Sequence, residues 1–349
     1  KGRHLEEFET ASRDYLQVAH CIGVSSCTSG LMLVLQALRR RLPVGLAPRI
    51  AVPSFTFLAG VTALIWAGFE PVFVESDPHT MLIDLQDLER ALREGSVAAV
   101  LAVHCFGNPV PASDIEALCR QYEVPLVYDA AHGFGSLDMG EKVGRSGWCQ
   151  VFSLTPTKMV VAGEGGMIAT GDPELAHELR VGREYGNDGS YDTVFPGLNA
   201  RMSEFHAALG CASLALLEEV VAHRNEVAQE LREALAGIEG VGFQRIVPHS
   251  RTTYKDFTIT IDSDSCGADR DSVAKALLSE GVPSRKYFAP ACHEHRALKQ
   301  FSQRPLPKTE LLASQCLSIP LLDSASVAGI AEAFRKVKVH GEEIQAKCR

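Results

Sequence analysis

Along the first two-thirds of the chain, short unbroken apolar runs alternate with segments whose apolar positions recur every three or four residues. The unbroken runs RIAVPS (49–54), PVFVES (71–76), VAAVLAVHCFG (97–107), VPLVYDAAH (124–132), CQVFSLT (149–155) and GGMIATG (165–171) predict strands buried on both faces. The periodic segments 29–40, 57–68, 85–95 and 112–123 predict helices between them. Such alternation predicts an α/β fold with a mostly parallel sheet, of seven-stranded type, between helices. After about residue 205 the pattern changes. Residues 204–238 form one long helical signal, expected to break once. Strands at 256–262 and 316–322 and helices at 269–281 and 326–345 follow, an α+β pattern. The reading is two domains: residues 1–215, including an N-terminal helix, and a smaller C-terminal α+β domain, residues 216–349.

Composition narrows the class. A formal net charge of −9 argues against a nucleic-acid partner, which would want a basic face. No apolar run is long enough to span a bilayer, and the start of the chain has no signal-peptide pattern. The chain opens KGRHLEEFE without Met, so residues upstream are expected. Its ten cysteines include no CxxC pair and lie in apolar runs such as VHCFG and ALGCASLALL. Scattered cysteines of this kind predict buried free thiols in a reducing, cytoplasmic setting, with no zinc or other metal site.

Candidate chemistry lies at the carboxyl ends of the predicted strands, where open α/β sheets bind ligands. In FSLTPTKMVVAGEGG, Lys158 stands between apolar pieces. Such a lysine can snorkel to water, or it can be a desolvated, reactive amine. GVSSCTSGLML puts Ser25, Ser26, Thr28, Ser29 and Gly30 just ahead of a helix, which suits an anion or an ordinary N-cap. Phe57 follows a strand and could stack on a planar ring or sit in the core. Asp129 and His132 end another strand; Asp129 could hold a protonated ring nitrogen or cap a helix. Together these features ask for a flat, anionic, carbonyl-bearing cofactor, a description that pyridoxal 5'-phosphate (PLP) meets.

The same stretches, with PVFVESDPHTMLIDLQDLERAL, VPLVYDAAHGFGS and GLNARMSEFHAALG, resemble the DegT/DnrJ/EryC1/StrS sugar aminotransferases. The resemblance covers nearly the whole chain and is most specific over residues 23–210. It implies the PLP-dependent transferase fold of type I, as in aspartate aminotransferase. It also implies Lys158 as the Schiff-base lysine and Asp129 as partner of the pyridine nitrogen. His132 would lie near the phenolic oxygen, Thr28, Ser29 and Ser153 would hold the phosphate, and Phe57 would cover the ring. Asn199 would reach the cofactor of a neighbouring subunit, so a homodimer with shared sites is expected.

The implied reaction is ping-pong transfer of an amino group from L-glutamate to a nucleotide-linked keto sugar, a dTDP-4-keto-6-deoxyhexose first. A 3-keto sugar nucleotide or a cyclitol ketone is the alternative. Tyr185, Tyr254, Lys255, Arg285, Lys286, Tyr287 and His293 lie in segments that could face the substrate, although a solvated role is the default for each. Related dehydratases carry His at the position of Lys158, which argues against that branch. A PLP-fold regulatory protein without turnover is the alternative from another class. A Rossmann oxidoreductase ranks last, since no GxGxxG opens the first helix.

Overall fold

The structure, a computed structural model, describes residues 2–43, 48–95 and 97–348. Seven strands form the main sheet: β1 (His20–Val24), β2 (Arg49–Pro53), β3 (Glu70–Val74), β4 (Ala99–Val103), β5 (Leu126–Asp129), then, after a small hairpin of β6 (Leu137–Asp138) and β7 (Glu141–Lys142), β8 (Cys149–Ser153) and β9 (Gly166–Thr170). Their order is β1-β9-β8-β5-β4-β2-β3. Strands β3, β2, β4, β5 and β8 pair in parallel, and only β9 runs antiparallel to its neighbours β8 and β1. All five residues of β4 (AVLAV) are buried, as a strand covered on both faces requires.

Helices supply that cover. On one face, α2 (Cys27–Arg41), α3 (Leu58–Trp66) and α6 (Pro173–Gly182) share an apolar cluster with Ile22, Val52, Leu101 and Val151 of the sheet. On the other, α4 (Leu85–Arg93) and α5 (Ala112–Gln121) pack with Ala51, Val74, Val100 and Tyr128. The N-terminal helix α1 (Arg3–Leu16) lies against α7 (Glu204–Ala215), with Phe8 fully buried between them and the sheet. The long helical signal breaks once, at Leu216, and continues as α8 (Leu217–Leu235). Leu217 and Val221 of α8 join the cluster of α1, whereas Val227 to Leu235 belong to another. That other cluster holds a three-stranded antiparallel sheet, β10 (Val241–Phe243), β11 (Phe257–Ile261) and β12 (Cys316–Ile319). Around it lie α9 (Ser263–Cys266), α10 (Arg270–Ser279), α11 (Pro307–Gln315), α12 (Ser324–Val339) and α13 (Gly341–Cys348).

Several expected boundaries move. The run 97–107 is a strand only to Val103; Cys105–Gly107 is a tight 3-10 turn in which Phe106 takes φ 59°. The run 124–132 is a strand only to Asp129, and 316–322 only to Ile319. The helix expected at 326–345 is two, parted at His340. An apolar run marks a buried segment, but its polar hydrogen-bonding context decides where the ladder stops. No single helix among the described residues is long and apolar enough to cross a membrane. Helices α7 and α8 meet the length and the apolarity only as a pair, bent by 56°.

Candidate active site

The carboxyl ends of β2, β4, β5 and β8 open into a cavity of about 370 Å³, closed on its far side by residues before β11 and after α10. Each wall follows from local sequence. Ser26 is the N-cap of α2: its side chain accepts from Ser29 N–H, and the Ser29 side chain accepts from Ser26 N–H. The helix therefore begins at Cys27, two residues earlier than the periodicity predicts. Thr28 falls in its first turn and lines the cavity, at the positive end of the helix dipole. The Ser29 hydroxyl instead serves the cap, contacting Ser25 and Ser26, and is not among the lining groups. An i,i+3 reciprocal cap satisfies two helix N–H groups, which is the stronger local use of that serine. The segment is fixed from outside by Ser25 N–H donating to Ala200 O at 2.8 Å.

Asp129 ends β5 on the cavity floor and is 4% exposed. Its Oδ1 accepts from Ala131 N–H at 3.0 Å and lies 4.0 Å from Cys27 Sγ. Burial raises its pKa, against the opposing pull of that hydrogen bond and of Lys158. His132 Nδ1 accepts from Phe106 N–H at 3.1 Å. Burial and the positive charges of Lys158 and Lys255 push its pKa well down. The ring is thus neutral with its proton on Nε2, an oriented donor.

Lys158 sits in the loop after β8. Lys158 N–H donates to Thr155 O at 3.0 Å, Ala162 N–H to Leu154 O at 2.8 Å, and Val161 N–H to Ser213 Oγ of α7 at 2.9 Å. Gly163, at φ +82°, turns the chain back toward β9. Burial, then the charge of Lys255, lowers the Lys158 pKa to about 8, with Asp129 opposing. A substantial neutral fraction near neutral pH makes this amine a nucleophile and a base. Snorkelling to bulk water does not describe it.

Phe57 is not a core residue: it is 59% exposed at the cavity mouth, its ring 6.2 Å from that of Phe288. Ser153 and Tyr287 also line the cavity. Besides Ser29, three expected residues do not. His293 is buried behind β2, bonded to Ser54 Oγ at 2.7 Å and facing Glu310 at 3.3 Å. These partners engage the imidazole, and it does not line this cavity. Tyr185 lies outside, half exposed, with the Arg201 guanidinium 5.4 Å from its ring. Asn199 is exposed on a strand-like bridge to Glu184. Of the other candidates, Lys286 pairs with Asp271 at 2.8 Å, the Tyr254 ring packs on Phe257, and only Lys255 lines the cavity.

Sequence reasoning missed Cys27, Thr155, Glu164, Asp256 and Phe288 on the walls. Thr155 and Glu164 flank Lys158 in the same loop, and that proximity was the available signal. Asp256 arrives from far along the chain, announced only by an adjacent Lys-Asp pair before a strand.

The residues fit PLP. Thr28 and the start of α2 suit a phosphate. Asp129 is a buried carboxyl that a protonated ring nitrogen would keep ionised, and Lys158 is a poised amine. Gly166, opening β9, shapes the cradle: an added Cβ would lie 2.7 Å from the backbone of Ser26 and Cys27.

Comparisons with known proteins agree. The family model described as DegT/DnrJ/EryC1/StrS aminotransferase family matches residues 1–338. GDP-perosamine synthase of Caulobacter vibrioides is 33% identical over 295 residues, covering 83% of this chain and 77% of that protein. A UDP-N-acetyl-3-dehydro-alpha-D-glucosamine 3-aminotransferase of Acidithiobacillus ferrooxidans is 31% identical over 328 residues, covering 93% and 85%. The crystal structure of DesI with its TDP-sugar product superposes with a TM-score of 0.92 at 33% identity, covering 100% of this chain and 88% of that one. The chain belongs to the DegT/DnrJ/EryC1/StrS aminotransferase family, a family of PLP-dependent transaminases.

Proposed function

We propose that the chain binds PLP and moves an amino group from L-glutamate to a nucleotide-linked keto sugar, a dTDP-4-keto-6-deoxyhexose, in two half-reactions at one cavity. The observation that carries the reading is the juxtaposition of Lys158, with its pKa lowered to about 8, and buried Asp129 in a single cavity. When bound, PLP supplies an aldehyde for the amine and a protonated ring that takes up electrons. Lys158 Nζ takes the proton from the donor's α-carbon and returns it later, as base and then acid. Asp129 would balance the positive charge of the ring nitrogen, and His132 Nε2–H would be a donor for the ring oxygen. Thr28, Ser153 and the N-terminus of α2 would hold the phosphate. Phe57 and Tyr287 restrict water at the mouth.

Relatives named for GDP-perosamine and for a TDP-sugar product favour a nucleotide sugar as acceptor. A 3-keto acceptor is the second reading, favoured by the relative named as a 3-aminotransferase. A homodimer is part of the proposal. Phe205, Leu209, Leu216 and Val220 form an exposed apolar stripe along α7 and α8. Helix α7 also braces the Lys158 loop, so a second copy seated on the stripe would adjoin the site. The ten cysteines are free and eight are buried, which supports a cytoplasmic setting.

The test is the visible absorption spectrum after PLP is added, then after L-glutamate. A yellow band that bleaches with glutamate, and is missing in Lys158→Ala, is the expected result. Protein that stays colourless with PLP present overturns the cofactor and the lysine together. Keto sugars carried on dTDP, GDP and UDP then assign the acceptor.

A further inference from the structure

Among the residues that line the cavity, Lys158 has one companion amine, Lys255, on the segment leading into β11. Lys255 Nζ donates to Asp256 Oδ1 at 2.9 Å and Oδ2 at 2.8 Å, and both side chains are largely buried. An ammonium carries three donors, and Asp256 engages two. The ammonium also lies 5.7 Å from the centre of the Tyr287 ring.

The backbone that presents this pair is held firmly. Lys255 N–H donates to Phe106 O at 3.0 Å. Phe106 N–H is the donor to His132 Nδ1, so one residue sets the positions of both cavity groups. From α8, Arg224 donates through Nε to Tyr254 O at 3.0 Å and through Nη2 to Lys255 O at 3.2 Å.

An ion pair on a partly dehydrated wall adds little to stability, because desolvation offsets the attraction. Its value lies in what visits the cavity. Two half-reactions place two unlike molecules at Lys158. An amino-acid donor brings a carboxylate on its reacting carbon, whereas a keto sugar offers hydroxyls there. A lone fixed cation would match the first and be left unpaired, at a cost, beside the second. A lysine with a permanent counter-ion and one further N–H suits both. We propose that Lys255 binds a carboxylate of the amino-acid donor, with Asp256 compensating its charge whenever that carboxylate is absent. This inference rests on the aminotransferase reading above.

The test uses PLP-loaded protein and calorimetric titration with glutarate, a dicarboxylate that lacks the amine and so cannot react. Wild type is expected to bind glutarate and Lys255→Met to bind it roughly 10- to 100-fold more weakly, the range of a charge-assisted hydrogen bond. Lys255→Arg should retain most of the affinity. Asp256→Asn, which removes the competing anion, should bind glutarate more tightly than wild type. Binding of dTDP and the yellow band should be unchanged in all three. Undetectable glutarate binding by wild type, wild-type affinity in Lys255→Met, or loss of dTDP binding in its place each overturns the proposal. If Lys255→Met does not fold, unchanged or weaker binding by Asp256→Asn overturns it alone. A wild type that takes up PLP and bleaches with glutamate while these variants fail the expectations separates this failure from failure of the functional reading.

Discussion

Asp129 is largely buried on the cavity floor, and its pKa is raised by that burial. A cationic ring nitrogen at the same place would reverse the shift, because an opposite charge within hydrogen-bond reach favours the ionised form. Asp129→Asn keeps shape and removes charge. Turnover in steady-state assays should fall on the order of 10²-fold or more, with the fold intact by circular dichroism. Lys158 gives a pH signature. Its free amine is the reactive form, and its pKa is lowered from the usual lysine value to about 8. In cofactor-free protein, labelling of Lys158 by an aldehyde, trapped by borohydride and read by mass spectrometry, should rise with pH through a midpoint at about 8. Lys255 is one cause of the lowering, so Lys255→Met should move the midpoint upward. At this scale the sequence was informative where a residue's neighbours along the chain are also its neighbours on the cavity wall. Thr28 at a helix start and Lys158 in a glycine-bounded loop are such cases. It did not reveal that Ser29 bonds to Ser26, or that His293 bonds to Ser54 and faces Glu310.

The elements matter through how closely they approach one another. Strand β9 passes so near the start of α2 that Gly166 cannot carry a side chain without moving the backbone of Ser26 and Cys27. Gly166→Ala should cost about 1–3 kcal/mol by overpacking. It should also weaken PLP capture at least about tenfold, since roughly 1.4 kcal/mol of lost phosphate contact is enough. Denaturant melts and spectral titration measure the two effects separately. Strand β1, which leads into the same helix start, is fixed by a buried ion pair. Arg183 Nη1 donates to Glu9 Oε1 at 2.6 Å and to Gly23 O at 2.7 Å, and Glu9 Oε1 accepts from Gly23 N–H at 3.0 Å. The pair ties α1, β1 and the end of α6 together. Glu9→Ala leaves a buried guanidinium without its counter-charge and should cost about 3–5 kcal/mol in denaturant unfolding. Neither relation could be read along the chain. Residues 9 and 183 carry no periodic signal linking them, and β1 itself (HCIGV) is too polar at its start to announce a strand.

For the whole molecule, the exposed apolar stripe on α7 and α8 carries a prediction. Phe205, 90% exposed, has no evident role in a monomer, and an exposed contiguous apolar face marks an interaction site. Phe205→Asp together with Leu209→Glu should shift sedimentation velocity from dimer toward monomer. If the neighbouring subunit completes the site through Asn199, the same variant loses glutamate-driven bleaching. A variant that stays dimeric would place the interface elsewhere. The broad layout was legible because covered parallel strands are apolar throughout while the helices beside them keep a polar face. The single break in the helical signal after residue 204 was legible for the same reason.

What the sequence determined by itself was local and periodic: which runs are buried, which segments coil, and which small, charged and aromatic residues stand at strand ends. These follow from side-chain polarity and backbone preference, which act over a few residues. Only the tertiary structure decided which strand ends converge, where each strand stops, and which polar groups are already satisfied when a ligand arrives. It brought Lys255 and Asp256 across from β11 to face Lys158, and it turned His293 away behind β2. Those outcomes depend on hydrogen bonds and packing between segments far apart in the chain, and no pattern along the chain encodes them singly.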